Sequence, residues 1–327
     1  MAFVKNKIKL SVVVCVYNEE KNIAPLFYQL QHSLDEFNYE IIFVDDGSTD
    51  NTVCEIKNLL ERNVHLIELT RNFGQSTALA AGIDFASGNL ICTIDGDLQN
   101  DPEDIPVLVN AMLSSHLDIV AGIRSNRQDG FFLRKLPSNI ANFFIRKFTG
   151  VYMKDYGCTL KVFRKEIAKN LGLYGELHRF IPVLACIQGA RMAQVEVRHH
   201  PRIHGRSKYG INRTLKVMAD LILMVFFQKY MSRPMHLFGI SGLIIFTLGM
   251  LLNLYLFAQK ILGEAIWGKP MLILAVVLTL GGIQLITTGI LAEILMRTYY
   301  ESQKKKTYAV RHISTVPENS KSAVVLN

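Results

Sequence analysis

The hydrophobic positions in the first hundred residues fall in short unbroken runs, each closed by polar residues. Residues 10–16 read LSVVVCV and stop at Tyr17-Asn18-Glu19-Glu20. Residues 39–44 (YEIIFV) stop at Asp45-Asp46-Gly47-Ser48, residues 64–69 (VHLIEL) at Thr70-Arg71-Asn72, and residues 90–94 (LICTI) at Asp95-Gly96-Asp97. Runs this short and this rich in β-branched residues predict strands, and their continuous apolarity predicts a sheet covered on both faces. Mixed stretches of helical length lie between them, over 22–34 and 76–86. Strand and helix in alternation predict a parallel sheet with right-handed crossovers. Ligands of such sheets bind outside the carboxyl ends of the strands, where this sequence places its acids.

The C-terminal third follows another pattern. Residues 236–257 contain no Asp, Glu, Lys or Arg, and Glu293 is the only charged residue of 271–296. Each run exceeds the roughly 20 residues that cross a bilayer core. The short connector AQKILGEAIWGK predicts a hairpin and holds Trp267, the only tryptophan, where an interfacial ring is expected. Lys229 and Arg233 precede the pair, and Arg297, Lys304, Lys305, Lys306 and Arg311 follow it. Basic flanks on both sides predict that both face the cytoplasm. Glu293 then lies near the cytoplasmic end, able to reach the interface or Arg297. Two further stretches, 131–148 and 213–230, mix aromatics or aliphatics with basic residues. They read as helices lying on a membrane surface, with core-facing amphipathic helices as the alternative.

Charge sharpens this division. Residues 1–119 carry a net −11, residues 120–233 a net +15, residues 234–296 none and residues 297–327 a net +4, within an overall +8. An acidic half suits metal and nucleotide contacts; a basic half beside an apolar stretch suits an anionic membrane surface or a phosphate-bearing lipid. A chain that is half hydrophobic is not disordered. Five cysteines without a close pair argue against a disulfide scaffold or zinc ribbon and for a reducing compartment. The opening MAFVKNKIKL is too charged for a secretory signal, so the N-terminal part is expected in the cytosol.

The acids suggest chemistry. No GxGxxG follows the first strand and no GxxxxGK[ST] occurs, so a dinucleotide dehydrogenase and a P-loop NTPase lose support. Asp95-Gly96-Asp97 sets two carboxylates about a residue that permits a tight bend, and Gln99 follows with another oxygen. Such donors suit Mg²⁺ or Mn²⁺ shared with substrate phosphates. Asp45 and Asp46 could serve a nucleotide or cap the following helix with Ser48 and Asp50. His200 and His204 are four apart, but Pro201 and Gly205 deny them a shared helical face, so metal ligation is not expected there.

SVVVCVYNEEKN, EIIFVDDGSTDNT, LTRNFGQSTALAAGID and TIDGDLQNDPEDIP resemble, in order, the motifs of family 2 glycosyltransferases with a GT-A fold. RSNRQDGFFLRKLPS, KDYGCTLKVFRKE, YGELHRFIPVLA and HHPRIHGRSKYGINR resemble the polyisoprenyl-phosphate members: dolichyl-phosphate mannosyltransferases, bactoprenol glucosyltransferases and undecaprenyl-phosphate aminoarabinose transferases. RNFGQ, DLQNDPEDIP, RQD and DYGC look most like the last group. The resemblance covers about residues 8–300. It implies an α/β fold: a Rossmann-like GT-A domain with a mostly parallel sheet and interfacial helices, followed by a two-helix transmembrane hairpin. The organisation expected is a cytosolic catalytic domain over 1–212, an interfacial helix over 213–233, membrane helices over 234–258 and 271–296 joined by an external connector over 259–270, and a basic cytosolic tail over 297–327.

The resemblance also implies roles. Val16, Tyr17, Glu19, Asp46, Asn72, Asp95 and Gly96 look like nucleotide-sugar contacts, and Asp95, Asp97 and Gln99 like the Mg²⁺ or Mn²⁺ group. Arg124, Arg134 and Ser138 match positions that hold an acceptor phosphate. Arg202, Ser207 and Lys208 resemble a loop that closes over donor and acceptor. Asp97, Asp155, Arg134 and Lys208 are the expected catalytic set. Two departures stand out. Where related glucosyltransferases carry an acid within a TGDFRL-like motif, this chain reads Asp155-Tyr156-Gly157-Cys158, and Gln75 stands where many relatives carry Lys. The implied reaction is inverting transfer from a nucleotide sugar, expected to be a UDP-sugar, to a polyisoprenyl phosphate such as undecaprenyl phosphate, for cell-envelope glycan or lipid A modification. The implied setting is the inner membrane, as a homo-oligomer with the tetramer among its states, and with both termini cytosolic. A processive polysaccharide synthase is the rival reading, but no Q-x-x-R-W motif is present. A non-catalytic membrane-anchored binding protein is another, though it would be free to lose the DxD and the RxxGxSK loop.

Overall fold

A computed structural model describes residues 8–124, 146, 147, 149–173, 175, 177–201, 224–226, 229, 230 and 233–302. The chain divides into two compact units, Met1–Met231 and Ser232–Asn327.

The first unit is built on β1 (Lys9–Val16), α1 (Glu20–Leu34), β2 (Asn38–Asp45), α2 (Thr52–Lys57), β3 (Val64–Glu68), α3 (Gln75–Phe85), β4 (Leu90–Asp95), α4 (Ile105–Ser114) and β5 (Ile119–Arg124). After residues 125–145 come β6 (Lys161–Arg164), α5 (Lys165–Lys169), α6 (Ile181–Ile187) and β7 (Met192–Val197). Seven strands form one sheet in the order β3-β2-β1-β4-β6-β5-β7. β1 pairs in parallel with β2 and β4, β2 with β3, and β5 with β7; β6 alone runs antiparallel, against both β4 and β5.

The apolar runs of β1, β2 and β4 become central strands because both of their faces are packed, while the run over 64–69 forms the edge strand β3. Val12, Val14, Ile41 and Phe43 share a buried cluster with Ile23, Leu26, Leu30 and Leu34 of α1 and Leu108 and Met112 of α4. Val13, Ile42 and Val44 point the other way, onto Ala78, Leu79 and Ile83 of α3 and Ile181 and Ala185 of α6. The α1 residues recur at helical spacing, which gives that helix its apolar stripe. Each large aliphatic side chain removed from water contributes about 1.5–3 kcal/mol.

At the amino ends of the strands, the buried Glu40 carboxylate accepts from Lys9 Nζ (2.6 Å), Ser11 Oγ (2.5 Å) and Ser87 N (2.8 Å). Burial pushes this acid up, but the hydrogen bonds from Lys9, Ser11 and Ser87 prevail and bring it down to about 2. β6 places a cation in the sheet: Lys161, only 2% exposed, stands in register with Thr93 of β4 and Ala121 of β5. Its ammonium donates to the Cys158 carbonyl, and burial lowers its pKa.

The second unit holds two long helices, α7 (Met235–Ile261) and α8 (Pro270–Ser302). Residues 235–261 and 270–296 are both long and apolar enough to cross a membrane. They pack as an antiparallel pair through glycines. A Cβ on Gly249 would lie 2.6 Å from the Thr279 nitrogen, and one on Gly282 would lie 2.4 Å from the Phe246 nitrogen. α7 runs to Ile261, so the link between the helices spans only 262–269, shorter than the 259–270 expected. Lys260 lies over the Trp267 ring, 5.8 Å from its centroid. The expected surface helices over 131–148 and 213–230 fall largely outside the described residues. So do the tail beyond residue 302 and the Arg297 side chain expected to meet Glu293.

Candidate active site at the carboxyl ends of the strands

The loops after β1 and β2 are fastened to each other. Asn18 adopts a positive φ of 52°, which Asn tolerates better than most residues. Its amide donates to Ser48 Oγ (2.9 Å), and its side-chain oxygen accepts from Thr49 N (2.8 Å). Glu19 N donates to Thr52 Oγ1 at 2.9 Å, and Asp46 N to the Val16 carbonyl at 2.9 Å. Tyr17 and Glu19 are thereby set beside the end of β2.

The neighbouring acids divide the local work. Asp45 Oδ2 accepts from Gly47 N (3.1 Å) and Ser48 N (2.9 Å), a side-chain turn of the Asx kind. Asp50, just before α2, accepts from Thr52 N (3.0 Å) and Thr52 Oγ1 (2.6 Å). Asp46 reaches across instead. Its two oxygens accept from Phe73 N (2.7 Å) and Gly74 N (2.9 Å), holding the loop that carries Asn72 against β2. Burial raises the Asp46 pKa, the two amides oppose the rise, and Asp45 adds to it.

β1 lies between β2 and β4, so Asp46 and the Asp95-Gly96-Asp97 turn flank the same strand end. Glycine is required at position 96, where a Cβ would lie 2.5 Å from Val16 Cγ1. Leu98, just beyond, has φ +58°, a sparsely populated conformation held next to the carboxylates. Asp95 accepts from Gln75 Nε2 (2.7 Å) and Thr159 Oγ1 (2.8 Å). Asp97 Oδ1 accepts from Gln99 N at 3.2 Å. Burial first and the Asp97 charge second raise the Asp95 pKa, while Thr159, Lys161 and Arg124 pull it down. Two hard oxygen donors so close that the Asp97 charge disfavours ionisation of Asp95 suit a divalent cation. No group of three or more His, Cys, Asp or Glu residues gathers into a closed cage among the described residues.

On the basic side, Arg124 ends β5 and forks onto Asp155, with Nε to Oδ2 at 2.7 Å and Nη2 to Oδ1 at 2.9 Å. Gly157 N adds a bond to Asp155 Oδ1 at 2.9 Å. Asp155 is thus the counter-ion of Arg124. Cys158, at the departed motif position, is buried, and burial raises its thiol pKa to about 11. Arg134, Ser138, Arg202, Ser207 and Lys208 lie outside the described residues.

The stem leading to Arg202 is described, and it is zipped onto the carboxylate loop. His200 N donates to the Gln99 carbonyl at 2.8 Å, and His199 forms a bridge with Asn100. Arg198 meets Asp101 (3.1 Å), Glu103 (2.9 Å) and Asp104 (3.0 Å). His200 Nε2 lies 3.2 Å from Asp101 Oδ2. Sequence reasoning missed Thr159, Lys161 and Arg198. A lysine inside the strand-like TLKVF run was the one available signal.

Comparison with known proteins agrees with this architecture. Residues 11–172 match the family described as Glycosyl transferase family 2. The chain is 48% identical over 314 residues to a dodecaprenyl-phosphate galacturonate synthase of Rhizobium johnstonii, covering 94% of this chain and 93% of that protein. It is 35% identical over 311 residues to an undecaprenyl-phosphate 4-deoxy-4-formamido-L-arabinose transferase of Aeromonas hydrophila, covering 93% of each. Of these two relatives, the galacturonate synthase has the higher identity. Glucosyl-3-phosphoglycerate synthase from Mycobacterium tuberculosis, crystallised with Mn²⁺ and UDP-glucose, superposes with a TM-score of 0.54 at 17% identity, over 70% of this chain and 83% of that one. The fold is GT-A. The chain belongs to glycosyl transferase family 2 and is a glycosyltransferase.

Proposed function

We propose that this enzyme transfers a sugar from a UDP-sugar to a polyisoprenyl phosphate, with inversion at the anomeric carbon, at the cytoplasmic face of the inner membrane. The supporting observation is the extent of the 48% identity: it runs through the sheet unit and the apolar helix pair alike, in a relative whose name carries a polyprenyl phosphate. The acceptor is a phosphate monoester, with a second pKa of about 6, so it is largely dianionic at neutral pH. Its oxygen attacks the anomeric carbon, and the bond from that carbon to the diphosphate breaks. The nucleoside diphosphate leaves with the electron pair, and no proton need be removed first.

Charge management is then the enzyme's task. A divalent cation, Mg²⁺ or Mn²⁺, would neutralise the leaving diphosphate when bound at Asp95 and Asp97, with Gln99 adjacent. Tyr17, Glu19, Asp46 and Asn72 face the nucleoside. Arg202 and Lys208 close on the diphosphate, while Arg134, Ser138 and Ser207 receive the acceptor phosphate, where arginine forks suit its oxygens. Arg124 belongs to the acceptor group, and Asp155 acts by orienting its guanidinium rather than as a base. Both termini stay in the cytosol, and the chain works as a homo-oligomer.

A panel of labelled donors, UDP-galacturonate, UDP-glucose, UDP-N-acetylhexosamines and UDP-aminoarabinose derivatives, tests this against undecaprenyl and dodecaprenyl phosphates. One donor is expected to yield an acid-labile lipid-linked sugar. Failure of every donor with both lipids would overturn the reading in favour of a non-catalytic role.

A further inference from the structure

Asp95 is gripped by two uncharged donors, Gln75 Nε2 on Oδ1 (2.7 Å) and Thr159 Oγ1 on Oδ2 (2.8 Å). The glutamine arrives from the first turn of α3 on a long side chain with several torsions. The threonine is branched at Cβ and stiff about its single torsion, so it is the firmer of the two.

The sheet delivers that threonine. β6 pairs antiparallel with β4, with Thr93 opposite Lys161. Continuing this register by two residues keeps the same face and brings Thr159 opposite Asp95. Thr93, also on that face of β4, holds the Thr159 carbonyl through Oγ1 (2.7 Å). The buried Lys161 ammonium holds the carbonyl of Cys158, the residue before. Two successive carbonyls are thus tied down, and the backbone that carries the hydroxyl is fixed.

The direction of the hydroxyl is fixed as well. Asn100, only 4% exposed, donates from Nδ2 to Thr159 Oγ1 (3.0 Å). The Cys158 thiol lies 3.7 Å from Asn100 Oδ1, in keeping with that orientation of the amide. A threonine oxygen has one proton to give, and an ionised carboxylate can only accept. With the Asn100 amide on one lone pair, the Thr159 proton is left for Asp95. Four residues earlier, Asp155 forks onto Arg124 through bonds that do not involve this hydroxyl.

We propose that Thr159 is a positioning residue for the transfer: its hydroxyl, aimed by Asn100, holds Asp95 in the orientation that receives the cation and the donor diphosphate. A carboxylate already held gives up less rotamer freedom when the cation binds. The proposal rests on the reading that Asp95 and Asp97 hold a divalent cation.

Full-length protein in detergent can be titrated with Mn²⁺ in the presence of UDP, free Mn²⁺ being read from its electron paramagnetic resonance signal. Thr159→Val keeps the shape and removes the hydroxyl. Mn²⁺ affinity is expected to fall about 10- to 100-fold, the usual loss when a partner of a metal ligand is removed. The Michaelis constant for the nucleotide sugar should rise with it, that for the lipid phosphate should not, and melting without metal should stay near that of wild type. Thr159→Ser, which keeps the hydroxyl, should restore wild-type affinity. Thr159→Ala carries the same expectation as the valine variant and replaces it if valine does not fold. Wild-type affinity without the hydroxyl, or a serine variant as weak as the valine one, would overturn the proposal. A wild-type chain that takes up no Mn²⁺ with UDP refutes the metal reading and this proposal with it, whereas uptake that the valine variant matches refutes the proposal alone.

Discussion

Single residues carry two sharp expectations. Asp97 stands at the tip of the β4 turn with its carboxylate braced by Gln99 N. Asp97→Asn keeps the shape and removes the charge, so transfer is expected to fall by about 10²–10³, the scale of losing one electrostatic stabiliser of the transition state. Thermal unfolding should be unchanged, and full transfer by the mutant in EDTA would refute the metal role. Glu40, at the far end of the strands, concerns stability alone. Its pKa is depressed from 4.5 to about 2 in the folded chain. Its contribution is therefore present above about pH 4.5 and is lost as the pH falls towards 2. With screening of the partly exposed Lys9, it amounts to on the order of 2 kcal/mol at neutral pH. Glu40→Gln should destabilise the chain at pH 7, and its melting difference from wild type should shrink as the pH approaches 2.

At the scale of elements, the stem 198–200 and the loop 99–104 behave as one piece, because Arg198 joins Asp101, Glu103 and Asp104. Arg198→Ala should release the stem that leads to Arg202 from the loop that carries Asp97. Activity is expected to drop about tenfold, the loss of a charge-assisted bond with a half-exposed donor. Amide exchange over 99–104 should accelerate, and Arg198→Lys should restore only part of the activity, since an ammonium lacks the planar fork. β1, β2 and β4 were legible in the sequence because each is buried on both faces and reads as an apolar run, and β3, a partly buried edge strand, because its short aliphatic stretch is closed by polar residues. β6 was not, because Lys161 interrupts it and its antiparallel course depends on pairing between Leu90 and Arg164, far apart in the chain. The same holds for the site. The Asp95-Gly96-Asp97 turn announces itself locally, whereas the Thr159 hydroxyl reaches Asp95 from 64 residues away. Asp46 looked like a cap or a nucleotide ligand, and its bonds to Phe73 and Gly74 follow only from the adjacency of two strand ends.

For the whole molecule, the basic flanks around the apolar pair predict one orientation. A reporter fused after Asn327 should be active only in the cytoplasm, and a substituted cysteine in 262–269 should react with an impermeant reagent from outside. A periplasmic C-terminal reporter would reverse the topology. The length of the helices adds a condition of another kind. The apolar parts of α7 and α8 each run 27 residues, about 40 Å at 1.5 Å per residue, against a hydrocarbon core of about 30 Å. Such hydrophobic mismatch is relieved by tilting the pair or by thickening the lipid around it. The reconstituted enzyme should therefore prefer long-chain phospholipids over short-chain ones. The bilayer that dissolves its acceptor would then also act as a mechanical load on the enzyme.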